Sequence, residues 1–306
     1  MGVHAAMTSP TLTRPALGVF WMLVTGLCFV AVTALVKVLG PRIPAPEAAF
    51  LRYLLGLVFL IPMIRPLLRA RVSRRQWTLF GARGAVHSIG VMLWFFGMTQ
   101  IPLAEVTAMN YLSPVYVTIG AALFLGEKLA MRRILAIAAA LLGALIILRP
   151  GFREVNMGHL AMLFAAVVFA ASYLLAKILT DELSPVVVVA MLSVWVTVGL
   201  APFAAAVWVT PTLWELGLLF AVACFATAGH YTMTLAFQVA PMTVTQPVTF
   251  LQLVWAVALG AIVFGEAVDG WVVFGGAVIM ASVTFITWRE AVARRAITPA
   301  VSATKV

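Results

Sequence analysis

The chain has 306 residues, 64% of them hydrophobic and 10% charged, with a mean hydropathy of +1.10 and a formal net charge of +10. A soluble domain is nearer half apolar and a quarter charged, and a chain of this length still exposes much of its surface after folding, so water is excluded as the main solvent. The positive charge is not a nucleic-acid signature, because the arginines stand in short segments between apolar stretches.

A bilayer core of roughly 30 Å takes about 20 helical residues per crossing. Dividing the chain at Pro, Gly and charge clusters predicts ten such helices, over residues 16–39, 46–68, 77–99, 102–124, 130–150, 157–180, 184–208, 212–236, 241–264 and 269–289. Runs such as Ile134 to Leu148 do not alternate, which excludes the strands of a β-barrel. The first stretch is too long for a signal-peptide core, so it is read as a retained helix. Cys28 and Cys224 lie mid-span as small apolar residues, and neither a disulfide framework nor a metal motif can be built from them.

Charge bias sets the orientation. Arg65, Arg69, Arg71, Arg74 and Arg75 form the densest basic segment, which places the second linker, and by counting both termini, in the cytoplasm. Arg14, Lys128, Arg132, Arg133, Arg289, Arg294, Arg295 and Lys305 agree, whereas Arg42, Arg149 and Arg153 fall on the other side.

The chain repeats itself. At an offset of 140, Gly18, Met22, Phe29 and Lys37 fall on Gly158, Met162, Phe169 and Lys177. At 139, Gly90 falls on Gly229, Pro102 on Pro241, and Gly126–Glu127 on Gly265–Glu266. Five helices per half is an odd number, so the second half enters the membrane from the opposite side and the repeat is inverted, an arrangement that in transporters places the substrate near the midplane. The expected organisation is an all-α membrane protein with a cytoplasmic tail over 1–15, five-helix repeats over 16–150 and 157–290, and a second cytoplasmic tail over 291–306.

Three segments, FLRYLLGLVFLIP (50–62), IPLAEVTAMNYLSPVYVTIGAALFLGEKL (101–129) and VAPMTVTQPVTFLQLVWAVALGAIVFGEAV (239–268), resemble the ten-helix EamA-type members of the drug/metabolite transporter superfamily. The resemblance spans about residues 16–290 and implies a multi-pass inner-membrane transporter working by alternating access without ATP. It implies no cofactor, and no Walker-type phosphate loop is present. Similar members export amino acids or drugs, or take up metabolites such as S-adenosylmethionine or riboflavin.

Ionisable groups within spans are expensive and by default face the protein interior. Glu105, one turn into the fourth helix beside Asn110 and Tyr111, reads as a binding group for a cationic substrate or a coupling proton, or as a helix-start carboxylate favoured by the dipole. Arg52 reads as an anchor for a substrate carboxylate or as a partner of Glu47 or Glu105; Glu47 itself reads as a terminal charge. His87 reads as a proton relay or a packing histidine, with Arg83 one turn away snorkelling to the cytoplasmic end. His230 and Tyr231 lie at mid-span in the eighth helix as cavity-lining candidates.

Trp94, Tyr111, Tyr173 and Trp255 supply aromatic faces, and Asn110, Gln246 and Gln252 supply amides, a set suited to a small-molecule site. Trp21, Trp77, Trp208, Trp214, Trp271 and Trp288 read instead as interface belts. Pro114 and Pro247 read as hinges or static bends. Glu127 and Glu266, each after a Gly, read as structural helix-end acids or conformational latches.

The expected function is secondary transport of amino acids or their derivatives, or of amphiphilic or cationic compounds, with export as the expected direction. The alternative is uptake of a larger metabolite such as S-adenosylmethionine or riboflavin. An intramembrane enzyme is disfavoured, since no nucleophile with a nearby base or metal-spaced ligand set is found. Expected partners are the substrate and the lipid bilayer, with proton coupling open, as a monomer or homodimer.

Overall fold

A computed structural model describes residues 14–124, 130–152, 154–240 and 242–297, with 185, 242, 243, 246, 247, 290, 291 and 293–297 described by backbone alone. The described residues form ten helical spans: Pro15–Leu39, Ala45–Arg69, Arg74–Gln100, Leu103–Phe124, Met131–Leu148, Met157–Thr180, Pro185–Ala206, Leu213–Val239, Met242–Phe264 and Gly270–Ile297. Nine are long and apolar enough to cross a membrane, and Val248–Phe264 supplies the shorter apolar stretch of the ninth. Large side chains such as Phe164 and Ile262 stay exposed on the outer faces, where lipid covers them.

Helix starts follow from local chemistry. Ser73 accepts from the Gln76 amide while the Gln76 side chain accepts from the Ser73 amide, and Thr212 and Glu215 repeat this capping box at the eighth span. The second span tightens to a 3-10 helix over Leu57–Met63, which contains Pro62. The fourth divides into Leu103–Asn110 and Ser113–Phe124, because Pro114 lacks the amide that would bond the Asn110 carbonyl. The expected bend at Pro114 is therefore a break between two helices, whereas the ninth span runs as one helix through position 247. The tenth span continues past the predicted end at 289 to Ile297.

The packing respects the repeat. The first span packs on the eighth as the sixth packs on the third, and the first meets the ninth as the sixth meets the fourth. The second meets the seventh, the fourth the ninth, and the fifth the tenth, each pair mapping onto itself when the halves exchange. Between fifth and tenth the backbones nearly touch: a Cβ on Gly143 would lie 2.8 Å from the Gly275 carbonyl oxygen. An even number of spans brings both chain ends to one end of the bundle, where the Arg14 amide donates to the Val239 carbonyl. We call this the terminal end.

Candidate functional site

Two polar regions stand out, one at mid-bundle and one at the end opposite the termini. At mid-bundle the Arg52 guanidinium lies 4.1 Å above the ring of its neighbour Tyr53, a cation–π arrangement. The Tyr53 hydroxyl is 3.1 Å from His87 Nε2, and His87 Nδ1 is 3.0 Å from Ser172 Oγ, so the second, third and sixth spans are joined through one imidazole. Phe169 packs 5.1 Å from the His87 ring and stacks on Tyr173, while Trp94 meets Phe169 edge-on. On the other side, His230 meets Phe29 edge-on, also at 5.1 Å.

The two phenylalanines are repeat mates, and so are the glycines that admit them: a Cβ on Gly90 would lie 2.8 Å from the Phe169 ring, and one on Gly229 would lie 3.4 Å from Phe29. The scaffold is thus two-fold, but the charge on it is not. Arg83, His87 and His230 align with Val222, Ala226 and Val91 in the other half.

The ionisable nitrogen groups here are two guanidiniums, Arg52 and Arg83, and two imidazoles, His87 and His230. Among the described residues no carboxylate is hydrogen-bonded or ion-paired to Arg52, Arg83, His87 or His230. Arg83 is 5% exposed and donates to the Val188 carbonyl, so it turns inward instead of snorkelling. The Nε atoms of Arg52 and Arg83 and the indole nitrogen of Trp94 are buried without a hydrogen-bond partner. Tyr173 and His230 remain exposed despite their mid-bundle contacts.

The opposite end is built from matched charges. Glu266, just past the left-handed Gly265, pairs with Lys37 through one oxygen and accepts the Leu103 amide at 3.0 Å through the other. Lys37 also donates to the Ile101 carbonyl, so three span ends meet on one carboxylate. Arg149 pairs with Asp269, and Arg42 with Glu215. Arg42 and Arg149, which depart from the charge bias, are thus neutralised by acids. The Glu215 carboxylate holds the Arg42 guanidinium above its ordinary pKa. Glu47, expected as a terminal charge, is fully buried because its carboxylate accepts the Val209 amide at 2.8 Å.

Glu105 belongs to this end. It is 3% exposed, and its Oε2 lies 2.6 Å from Nε2 of His159, itself 2% exposed in the first turn of the sixth span. His159 Nδ1 accepts the Asn156 amide at 3.1 Å, which fixes the proton on Nε2 as the donor to Glu105.

A second polar contact is mirrored at the terminal end. Glu182 meets Arg75 at 2.6 Å and accepts from Gln76 at 2.8 Å. Glu182 and Gln76 are the repeat mates of Arg42 and Glu215, so the same two positions clasp the third to the sixth span and the first to the eighth. Hydrogen bonds from Gln76 and Arg75 hold the Glu182 carboxyl below its ordinary range.

Of the predicted site residues, the structure brings Arg52, His87, Trp94, Tyr173 and His230 into the mid-bundle region. Tyr231 neighbours His230 but is 64% exposed. Tyr111 is buried and donates to the Thr249 carbonyl at 2.9 Å, and Asn110 ends the first segment of the fourth span. Trp255 and Gln252 face Gly26 of the first span. Glu127 and the side chains of Gln246 and Pro247 lie outside the described residues. Trp77, Trp208, Trp214, Trp271 and Trp288 are exposed towards span ends.

Tyr53, Ser172 and His159 were not singled out in the sequence. Comparing the repeat mates gives a usable signal for His159, since it aligns with Val19 and Glu105 with Val244.

The model of the EamA-like transporter family matches the chain twice, over residues 16–149 and 156–288. A riboflavin transporter of Rhizobium johnstonii is 30% identical over 286 residues, covering 91% of this chain and 93% of its own. An S-adenosylmethionine uptake transporter of Rickettsia bellii is 27% identical, covering 90% and 94%. A pseudopaline exporter of Pseudomonas aeruginosa is 26% identical, covering 86% and 93%. A solved structure with 16% identity superposes over 92% of this chain with a TM-score of 0.58, a likeness of fold. The twice-matched family model, the ten spans and the full-length relatives give one conclusion: this chain belongs to the EamA-like transporter family and is a multi-pass inner-membrane transporter, not an enzyme.

Proposed function

We propose that the chain transports a small, flat, acceptor-rich metabolite, flavin-like in its chemistry, bound at mid-bundle by Arg52 between aromatic rings from both halves. The observation that carries this reading is the guanidinium of Arg52, held on Tyr53 without a carboxylate partner. A bare cation in a span is costly, and a ligand with carbonyl or carboxylate oxygens would relieve that cost while its ring system packs against Phe29, Phe169 and Tyr173. Such a set of groups suits the riboflavin named for one group of relatives. It suits S-adenosylmethionine less, whose sulfonium and ammonium groups would meet two guanidiniums with no carboxylate paired to them among the described residues. For the same reason a simple cationic drug is a poor fit, and Glu105, the acid expected to hold it, is engaged by His159.

Relatives named for uptake and for export share this scaffold, so direction rests on gradients and coupling, and alternating access requires only that the ligand bind the two facing states differently. The test is a thermal-shift screen of the purified protein with riboflavin, S-adenosylmethionine, amino acids and quaternary amines. Stabilisation by riboflavin, lost in Arg52→Gln, is the expected result. Stabilisation by quaternary amines that survives Arg52→Gln would overturn the reading.

A further inference from the structure

We infer that the buried Glu105–His159 pair is a proton-binding site that controls the end of the bundle opposite the termini. The inference rests on the transport reading only for its consequence, since the pair's chemistry is independent of the substrate.

A buried carboxylate–imidazole pair contributes little net stability compared with well-packed apolar groups. The fold itself shows that the position does not need one. The first and ninth spans meet as the sixth and fourth do, and there the aligned residues are Val19 and Val244. One end therefore carries an ionisable pair where the other carries two valines.

The hydrogen bonds decide where a proton would go. Nδ1 of the imidazole is occupied by the Asn156 amide, one half of the capping box of the sixth span, and Nε2–H is directed at Glu105, so both ring nitrogens are already engaged. The carboxylate can take the proton instead. One proton added to Glu105 turns the pair from a charge-assisted hydrogen bond into a neutral one of roughly half the strength. Its release restores the anion, so one proton enters and one leaves per cycle.

A route exists. Glu105 lines a small crevice with Pro102, Val257, Glu266 and Asp269. Among the described residues, the charged groups around it include Glu266 and its partner Lys37, Asp269 and its partner Arg149, and His159 itself. Two of these pairs tie the same end shut, so a loosened Glu105–His159 contact adds directly to the opening of a joint already composed of polar ties.

The test uses the full chain with Cys28 and Cys224 replaced by Ala and Val257→Cys introduced in the crevice, labelled with a maleimide reagent from mildly alkaline to mildly acidic pH. The expected result is a labelling rate that rises roughly tenfold on acidification, the population shift equivalent to weakening one charge-assisted hydrogen bond, and that is high and flat with pH in Glu105→Gln. An identical pH profile with and without Glu105→Gln overturns the proposal. If Glu105→Gln does not fold, His159→Gln decides: its amide still donates to Glu105, so the profile should persist with a moved midpoint, and an unmoved midpoint overturns the proposal. No substrate enters this assay. Flat labelling beside intact ligand binding would sink the proton site alone, and the reverse pattern would sink the substrate reading alone.

Discussion

At the end opposite the termini, Lys37, Arg42 and Arg149 each meet a carboxylate, and Glu266 gathers three span ends. At mid-bundle, Arg52 and Arg83 meet only a ring, a carbonyl and unfilled hydrogen-bonding capacity. Charges satisfied by the protein hold the protein together, while charges left unsatisfied are open to a ligand. The repeat sharpens this contrast. Lys37 and Glu266 have repeat mates of the same kind in Lys177 and Glu127, whereas Arg83, His87 and His230 have apolar ones. The residue types of this tie thus recur in both halves, whereas the mid-bundle basic groups occur in one half each.

The contrast fails if the two regions respond alike to mutation. The largest expected effect is at the tie: Glu266→Gln strips Lys37 of its counter-charge, a loss of about 3 kcal/mol of stability, visible as a lowered melting temperature with little change in ligand affinity. Next is Arg52→Gln, expected to weaken riboflavin binding by roughly ten- to a hundredfold, while the melting temperature without ligand holds or rises because an unpaired charge is removed. Tyr53→Phe should cost about 1 kcal/mol in binding or stability by deleting the hydroxyl held at His87, a smaller effect read in the same two assays.

The smallest effect concerns the clasp at the terminal end. The folded-state pKa of Glu182 is depressed, so its contribution is present above the ordinary carboxylate range and is lost as pH falls through the lowered value. Glu182→Gln should therefore flatten the acid limb of the stability profile and reduce its salt sensitivity, and an unchanged acid limb would show that Arg75 and Gln76 do not hold it.

Much of this fold was legible because hydropathy is a property of long segments: all ten spans fall within a few residues of their predicted limits except where the tenth runs on to Ile297. The break at Pro114 was legible for a local reason, the missing amide. The pairing of Glu105 with His159 was not, because 54 residues separate them and only the packing of the fourth span on the sixth joins them. Arg83 likewise read as a surface-seeking group until the seventh span supplied the Val188 carbonyl. His87 and His230 could be named from their depth in their spans, but the phenylalanines against them could be placed only once the halves were folded together.

The most direct measurement is a riboflavin titration of the purified protein, followed by quenching of flavin fluorescence, in parallel for the parent, Arg52→Gln and Glu266→Gln. The account predicts saturable binding that is weakened at least tenfold by Arg52→Gln and retained by folded Glu266→Gln. Equal binding by the parent and Arg52→Gln would contradict the claim that the unpaired guanidinium marks the substrate site.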